Sequence, residues 1–377
     1  MRCSVSGGGT GGHVFPALAV ARALRDERPD VDLDYVGGVR GFERQLVAGH
    51  SMHAELPYHE LVVRSLRSSG LSIHTVLDPA RLAASAPQAW WLLGRLRPAA
   101  LFTTGGYLAV PLVTAARLRG IPTLVWEGNV LPGRATRAVG RFATRVAVSF
   151  PPTLEAFPAN SFVSGTPIRS FAGIDRDAAR RSFGVEPGDR LMVVFGGSQA
   201  VARLSAATTA ALPHLLADWH ILHLAGETGM ADARAARATL PDAFMARYQP
   251  EPFLTDRMAD ALVAADLVLG RAGSSTCAEV AAVGVASILV PYPFAGAHQR
   301  YNARFLADAG AAVTVPDEEL DAARLVGEVT ALRDDARRSA MADAARGLGR
   351  PDAARQLARE LLALAERRTL PSLAARP

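Results

Sequence analysis

The sequence contains no lysine, and all 41 of its basic residues are arginine. The absence of lysine excludes a lysine-dependent phosphate loop and a Schiff-base mechanism. A formal net charge of +5 is compatible with nucleic-acid binding. However, the exclusive use of arginine is typical of a codon bias, and no pattern of a nucleic-acid-binding module is present. We therefore expect no nucleic-acid partner.

Cysteine and long apolar runs are also scarce. Cys3 and Cys277 are too few for a disulfide framework. No pair of aspartates lies in a loop suited to a divalent metal, so we expect neither a metal nor another cofactor. No run approaches the about 20 apolar residues of a membrane-spanning helix. The first residues lead directly into glycines, so we expect no signal peptide and a cytosolic protein.

Short apolar runs alternate with helical patterns along both halves of the chain, which predicts βα units around parallel sheets. The first half predicts strands at Arg2–Ser6, Val31–Val36, Ala100–Thr103, Thr123–Trp126 and Thr144–Ser149, and helices at Phe15–Arg25, Ala83–Leu96, Leu108–Leu118 and Arg134–Arg141. The second half predicts strands at Arg190–Phe195, His220–Leu224, Leu267–Gly270 and Ala286–Val290, and helices at Ala200–Leu216, Asp256–Ala265 and Gln299–Ala309.

Each half opens with a strand and a glycine-rich loop, so we expect two doubly wound domains. They should cover residues 1–165 and 166–350, because the proline and glycines of 165–174 are typical of a hinge. The helical segment 351–377 could stay on the second domain or cross back to the first. Ligands of doubly wound sheets bind beyond the carboxyl ends of the strands, which predicts a cleft lined by the glycine loops.

The first glycine loop, Gly7–His13, matches a dinucleotide fingerprint poorly, because no acidic residue closes the second strand at the expected place. His13 lies where the next helix begins. A histidine there could take a proton from a hydroxyl nucleophile, or it could merely cap the helix or be solvated. This loop alone does not decide between the two interpretations.

Three further polar residues lie after predicted strands or in the hinge. Asn129 could hydrogen-bond a sugar hydroxyl, or it could be a plain turn residue. Gly196–Gln199 predicts a diphosphate loop with Ser198 as a hydroxyl donor, although a bare turn explains it nearly as well. Arg169 could reach a phosphate, but most arginines in so arginine-rich a chain must lie on the surface.

The stretch Arg271–Glu279 combines small residues with the start of a helix, predicted at Thr276–Val283 with Ser274 or Ser275 as N-cap. Unpaired N–H groups at such a helix start favour a phosphate. Glu279, one turn later, could accept hydrogen bonds from the vicinal hydroxyls of a ribose. The stretch therefore fits a nucleotide site, although a capped helix with an exposed glutamate explains it too.

Bulky apolar residues are mixed with arginine in Leu61–Arg67 and Trp90–Arg97. Such a mixture is compatible with an amphipathic surface on anionic lipid headgroups. A helix that faces the core and carries solvated arginines is the alternative.

Six motifs resemble, in order and spacing, those of the MurG family of peptidoglycan N-acetylglucosaminyltransferases: Gly8–Pro16, Gly105–Tyr107, Gly165–Arg169, Gly196–Gln199, Arg271–Glu279 and His298–Ala303. The resemblance spans nearly the whole chain. It implies an α/β protein with the GT-B fold, in which two Rossmann-like doubly wound domains face each other across a cleft, and no essential active-site metal.

The resemblance also implies roles for individual residues. His13 would be the base or the organiser of the acceptor. The substrate-binding residues would be Thr10, Gly11, Gly12, Asn129, Arg169, Ser198, Leu254, Ser274, Ser275, Thr276, Cys277, Ala278, Glu279 and Gln299. Within this set Leu254 would hold the uracil through its backbone, Glu279 the ribose hydroxyls, and Gln299 the N-acetylglucosamine hydroxyls. Gly128 and Pro167 depart from the family's usual Gln and Asn.

The implied reaction is inverting transfer of N-acetylglucosamine from its UDP ester to the muramoyl 4-hydroxyl of undecaprenyl-diphospho-muramoylpentapeptide (lipid I), which gives lipid II. The implied location is the cytoplasmic face of the cell membrane, as a peripheral protein. An anionic membrane surface and other cell-wall synthesis proteins are the expected partners.

The alternatives are a GT-B enzyme with another lipid or secondary-metabolite acceptor, a UDP-N-acetylglucosamine 2-epimerase, or a non-catalytic nucleotide-sugar sensor. The epimerase needs additional carboxylates, and the sensor would be expected to lack His13 or Gln299.

Overall fold

The computed structural model describes residues 1–39, 43–49, 56–62, 73–196, 202–254, 256–293 and 298–368, with side chains of the third helix described from Ser85 onward. The chain forms two compact units. The first comprises Met1–Ile168 and the segment that begins at Asp352, and the second comprises Arg169–Pro351. No helix in the described ranges is long and apolar enough to cross a membrane.

The first unit is built on a seven-stranded parallel sheet. Its strands are β1 (Arg2–Ser6), β2 (Asp32–Gly38), β3 (Tyr58–Leu61), β4 (Ala100–Thr103), β5 (Thr123–Glu127), β6 (Arg145–Val148) and β7 (Ser161–Val163), and its helices include α1 (Gly11–Glu27), α2 (Glu43–Ala48), α3 (Ile73–Leu96), α4 (Gly106–Leu118) and α5 (Arg134–Gly140). The strand order is β3-β2-β1-β4-β5-β6-β7. The central strands are buried along almost their whole length, as expected for a sheet covered by helices on both faces.

The second unit repeats this plan on a six-stranded parallel sheet. Its strands are β8 (Leu191–Phe195), β9 (His220–Leu224), β10 (Tyr248–Glu251), β11 (Leu267–Gly270), β12 (Ala286–Leu289) and β13 (Val313–Thr314). Its helices are α6 (Arg176–Ser182), α7 (Ala202–Leu215), α8 (Gly226–Ala238), α9 (Asp242–Met245), α10 (Met258–Ala264), α11 (Ser274–Val283), α12 (His298–Asp308), α13 (Ala322–Ala331) and α14 (Asp335–Leu348). The strand order is β10-β9-β8-β11-β12-β13, so the prediction of two parallel α/β domains is confirmed.

Each sheet reverses its strand order at one point. In the first unit the reversal lies between β1 and β4, and in the second it lies between β8 and β11. At such a point the loops that leave the two strands diverge, and ligands of doubly wound folds bind in the opening. The glycine loops after β1, β4 and β11 therefore lie where this topology expects a ligand.

The last helix, α15 (Ala353–Ala365), packs on the first unit. Leu357 and Leu361 are fully buried in the same apolar cluster as α1. The buried Glu360 carboxylate accepts a hydrogen bond of 2.8 Å from Nε of Arg145 on β6. The sequence left open whether this C-terminal helix stays on the second domain or crosses back to the first. In the structure it packs on the first unit.

Candidate active site

The first glycine loop joins β1 to α1 at the point of strand reversal. Gly9 has a φ of +92°, which favours glycine. The helix begins at Gly11, four residues before the predicted start. Its N-cap, Thr10, makes no side-chain capping bond. The predicted substrate-binding residues Thr10, Gly11 and Gly12 therefore lie at the positive end of a 17-residue helix.

His13 is the third residue of α1, and it is half-buried. Its Nδ1 lies 2.7 Å from the carbonyl oxygen of Thr104, and the Thr104 hydroxyl donates to the carbonyl oxygen of His13 at 3.0 Å. Because a carbonyl only accepts, Nδ1 carries the hydrogen and the lone pair of the neutral ring lies on Nε2. The alternative of a capping or merely solvated histidine is wrong, because Thr10 is the N-cap and the ring is held by the next glycine loop.

That second loop follows β4 and turns through two glycines with positive φ, Gly105 and Gly106. A methyl group at Gly106 would lie 3.7 Å from Nε2 of His13. The loop therefore flanks the nitrogen that carries the lone pair. With a φ of +70°, this position favours glycine, and a side chain here would lie against the imidazole.

Asn129 is oriented by a buried carboxylate, that of Glu127 at the end of β5. One carboxylate oxygen accepts from the backbone N–H and the side-chain amide of Asn129, at 3.0 and 3.1 Å. The other accepts from the N–H of Gly133 at 3.0 Å. Glu127 thus shapes the whole turn and holds the amide in one orientation, which suits a sugar ligand as well as a turn residue.

In the second unit, α11 begins at Ser274 with Gly273 as its N-cap. The predicted Ser274 or Ser275 cap is therefore wrong, because Ser274 already has helical geometry. A glycine cap has no side-chain oxygen to accept the first N–H groups. Within the described ranges, the N–H groups of Ser274, Ser275 and Thr276 have no backbone acceptor. These donors suit an anion such as a diphosphate.

Glu279 is buried rather than exposed, and Nε of Arg169 donates to its Oε1 at 2.8 Å. Burial raises the pKa of the Glu279 carboxyl, and the charge and hydrogen bond of Arg169 oppose this rise. The cation therefore favours the ionised form, which accepts hydrogen bonds at both oxygens. Arg169 and Glu279, which were predicted separately from the sequence, thus form one ion pair.

Buried contacts support the loop between β11 and α11. Arg271 donates to the carbonyl oxygen of Val290 at 3.3 Å and pairs with Asp317 at 2.5 Å. Asn302 donates to the carbonyl oxygen of Ala272 at 3.2 Å. The carboxamide oxygen of Gln299 accepts from the N–H of Tyr292 at 2.9 Å, which leaves its amide as a donor for a ligand.

For the other predicted substrate-binding residues that it describes, the structure shows burial but no contact that points to a specific role. Leu254 is half-buried next to the exposed Phe253. Cys277 is buried, and burial raises the pKa of its thiol to about 12. Ala278 is half-buried in the same helical turn. Ser198 lies outside the described residues.

Four residues that support these loops, each within its own unit, were not predicted from the sequence: Glu43, whose contacts are described below, Thr104, Glu127 as a loop organiser, and Asp317. Each acts on a partner in another segment or at the far end of its turn. Only Thr104 and Glu127, each directly after a predicted strand, offered a local signal.

Replacement of Arg169 by alanine should shift the pH dependence of UDP affinity to higher pH. Without the cation that opposes the effect of burial, the pKa of Glu279 should rise further, so its carboxyl should take up a proton at a higher pH than in the wild type. Because protonation removes acceptor capacity, affinity should fall on acidification by up to about tenfold per pH unit below that pKa. Calorimetric titration with UDP from about pH 8 to about pH 6 measures this.

Arg169→Lys keeps the positive charge and should show the pH dependence of the wild type. A parallel loss of affinity at every pH in Arg169→Ala would mean that Arg169 contacts the nucleotide without tuning Glu279.

Comparisons with known proteins match both units. The model described as the glycosyltransferase family 28 N-terminal domain matches residues 4–148, and that of the C-terminal domain matches residues 191–357. A relative from Desulforudis audaxviator is 38% identical over 354 residues, which cover 90% of this chain and 91% of the relative. Its name is UDP-N-acetylglucosamine–N-acetylmuramyl-(pentapeptide) pyrophosphoryl-undecaprenol N-acetylglucosamine transferase.

Two solved structures share the architecture. The crystal structure of Acinetobacter baumannii MurG has a TM-score of 0.78 and 30% identity, and the match covers 96% of this chain and 99% of that one. A Listeria monocytogenes protein described as a UDP-N-acetylglucosamine 2-epimerase has a TM-score of 0.69 over 98% of this chain and 97% of that one. At 12% identity the second match shows the fold alone.

Proposed function

The chain belongs to glycosyltransferase family 28, and from this we propose that it transfers N-acetylglucosamine from UDP-N-acetylglucosamine to the muramoyl 4-hydroxyl of lipid I, with inversion. The relatives named for this reaction support the choice of donor and acceptor. The observation that supports the catalytic step is the position of the His13 ring. Its Nδ1–H is fixed on a backbone carbonyl, so that Nε2 holds the lone pair beside a glycine turn.

The first unit would activate the acceptor. A sugar hydroxyl is a weak nucleophile until a positioned base removes its proton. The Nε2 atom of His13 would take that proton, while the Thr104 carbonyl would stabilise the Nδ1–H side of the resulting imidazolium. The N-terminus of α1 would favour the acceptor's own diphosphate or the developing negative charge.

The second unit would hold the donor. The N–H groups at the start of α11 would receive the diphosphate, whose negative charge grows as the bond to the sugar breaks. The Glu279 carboxylate would accept the ribose hydroxyls, and the Gln299 amide would donate to the sugar. These contacts would leave the anomeric carbon open to attack from the side opposite the leaving group, as inversion requires.

Transfer to a short-chain lipid I analogue tests this proposal. Radiolabelled UDP-N-acetylglucosamine is incubated with the analogue, and diacylglycerol or water alone serves as the control acceptor. We expect a labelled disaccharide lipid only with the analogue. Equal transfer to diacylglycerol would favour another lipid acceptor, and conversion of the donor without any acceptor would favour an epimerase.

We further propose that the first unit binds the cytoplasmic face of the membrane through an aromatic–arginine surface, formed by Trp90, Trp91, Leu118 and Phe142 with Arg95, Arg119 and Arg141. The four apolar side chains are 46–74% exposed. The guanidinium of Arg119 lies 3.7 Å from the ring centre of Trp90, and that of Arg141 lies 4.6 Å from the ring centre of Phe142. Aromatic rings beside arginine suit an anionic headgroup layer.

The structure revises the extent predicted for this surface. Leu61 is fully buried, so it cannot contribute. Arg64 and Arg67 lie outside the described residues. Leu93 and Leu96 of α3 face the core, while Trp90 and Trp91 do not. The alternative of a helix that faces the core and carries solvated arginines fits Leu93, Leu96 and the exposed Arg95, whereas the two tryptophans lie exposed.

Replacement of Trp90 and Trp91 by serine should weaken binding to anionic vesicles at least about tenfold, because burial of one large apolar side chain is worth roughly 1.5–3 kcal/mol. Turnover of a water-soluble acceptor should not change. Vesicle sedimentation measures the binding, and Tyr301→Ser, which removes an exposed aromatic ring from the second unit, is the matched control. Equal vesicle binding by wild type and the double variant would place the membrane contact elsewhere.

A further inference from the structure

A buried carboxylate joins three segments around the first glycine loop. Glu43, the first residue of α2, has no solvent exposure. Its Oε2 accepts from the N–H of Gly9 at 3.2 Å. Its Oε1 accepts from the N–H of Gly38 at 3.0 Å and from the hydroxyl of Tyr107 at 2.7 Å. Glu43 thus connects the loop after β1, the end of β2 and the first turn of α4, next to the loop after β4.

The geometry leaves little freedom for these segments. A methyl group at Gly8 would lie 3.0 Å from Oε1 of Glu43, and one at Gly9 would lie 3.2 Å from the ring of Tyr107. A buried carboxylate is tolerated only when its hydrogen bonds are satisfied, and bonds to an ionised group are roughly twice as strong as neutral ones. Loss of the charge should therefore loosen both loops at once.

The same contacts change what the first loop can bind. In dinucleotide-binding folds the N–H groups of this loop receive a phosphate, and an acidic residue after β2 holds the ribose. Here the acidic residue that follows β2 turns inward and accepts the N–H of Gly9 itself. The N–H of Gly9 is therefore already donated to a carboxylate of the protein itself, so Glu43 shapes this loop before any substrate arrives.

Resting on the proposed function, we propose that Glu43 is the positioning residue of the acceptor side. It holds the first glycine loop against Tyr107, next to the glycine turn that flanks Nε2 of His13. Glu43 itself touches no reacting atom. Its effect should therefore be confined to the use of the acceptor, while the donor contacts of the second unit stay intact.

Glu43→Gln tests this inference. A glutamine has one acceptor oxygen and one amide donor, so its amide would have to face either the N–H of Gly9 or the two donors Gly38 and Tyr107. We expect kcat/KM for the lipid I analogue to fall about ten- to a hundredfold. The Kd of UDP by calorimetry should change less than about twofold.

Glu360→Gln is the matched control, because Glu360 is another buried carboxylate of the first unit, paired with Arg145 away from the glycine loops. It should lower the melting temperature but leave acceptor kinetics unchanged. Kinetics of Glu43→Gln equal to those of Glu360→Gln, or an equal loss of UDP and acceptor binding, would overturn the inference.

Tyr107→Phe removes one donor to Glu43 and leaves the carboxylate in place. It should reduce acceptor kcat/KM less than Glu43→Gln does. The double variant should have a kcat/KM no lower than that of Glu43→Gln alone, because the two side chains act through the same hydrogen bond. If Glu43→Gln does not fold, unchanged acceptor kinetics of Tyr107→Phe overturn the inference. Wild-type transfer is measured first with the same analogue, and its absence overturns the proposed function and this inference together.

Discussion

Replacement of His13 by alanine should lower kcat about 10²–10⁴-fold, the range typical of a positioned proton acceptor. The structure gives the reason. The Thr104 carbonyl fixes the hydrogen on Nδ1, so the neutral ring presents a lone pair on Nε2 that alanine cannot replace. Steady-state assays of kcat in both proteins measure this loss.

The affinity for UDP and the melting temperature separate catalysis from structure in this experiment. UDP affinity should barely change, because the proposed nucleotide contacts lie in the second unit. His214→Ala is the matched control, since His214 is an exposed histidine on α7. A His13→Ala protein with an unchanged melting temperature and nearly full turnover would remove His13 from the mechanism.

Replacement of Glu279 by alanine should weaken UDP binding about ten- to a hundredfold, because hydrogen bonds to a charged group are worth about 1.5–3 kcal/mol. The loss should be the same with UDP and with UDP-N-acetylglucosamine, since the ribose is common to both. Glu279→Gln should fall between the wild type and the alanine variant, because it keeps an acceptor oxygen without the charge. Calorimetric titration with both ligands measures these affinities.

Gln299→Ala should behave differently from Glu279→Ala. Its carboxamide oxygen is used by the N–H of Tyr292, so the amide is the group left for the sugar. A lost bond to a neutral hydroxyl is worth about 0.5–1.5 kcal/mol. Discrimination between N-acetylglucosamine and its 4-epimer should therefore fall several-fold while UDP affinity holds. Equal losses of UDP affinity in the two variants would contradict this assignment.

The fold was predictable where strands are buried on both faces. The residues of β4 and β11 are apolar or small throughout, and so are those of β1 and β9 apart from Arg2 and the two histidines of β9; all four strands have the predicted bounds. The strand β3 was missed because its sequence Tyr-His-Glu-Leu is polar for a parallel strand, as suits its position at the sheet edge. The start of α1 was missed because glycine has a low helix propensity, which tertiary contacts of the loop override.

The sequence predicted the position of the candidate site from local motifs but not the contacts between distant segments. Glycine loops after strands identified its position, because the carboxyl ends of parallel strands meet at one edge. The contacts that define its chemistry join distant segments: Thr104 lies 91 residues from His13, and Glu279 lies 110 residues from Arg169. No spacing in a single sequence reveals such pairs. Glu43 was missed for the same reason, since it follows β2 by five residues and acts on other loops.

The linkage formed in the product tests the proposed function most directly. The disaccharide lipid made from UDP-N-acetylglucosamine and the lipid I analogue is purified and examined by proton and carbon NMR. We expect a β linkage from the anomeric carbon of N-acetylglucosamine to the 4-oxygen of the muramoyl sugar, because a single displacement inverts the α-linked donor. An α linkage, attachment at another hydroxyl, or free 2-epimerised sugar nucleotide in place of the disaccharide would contradict it.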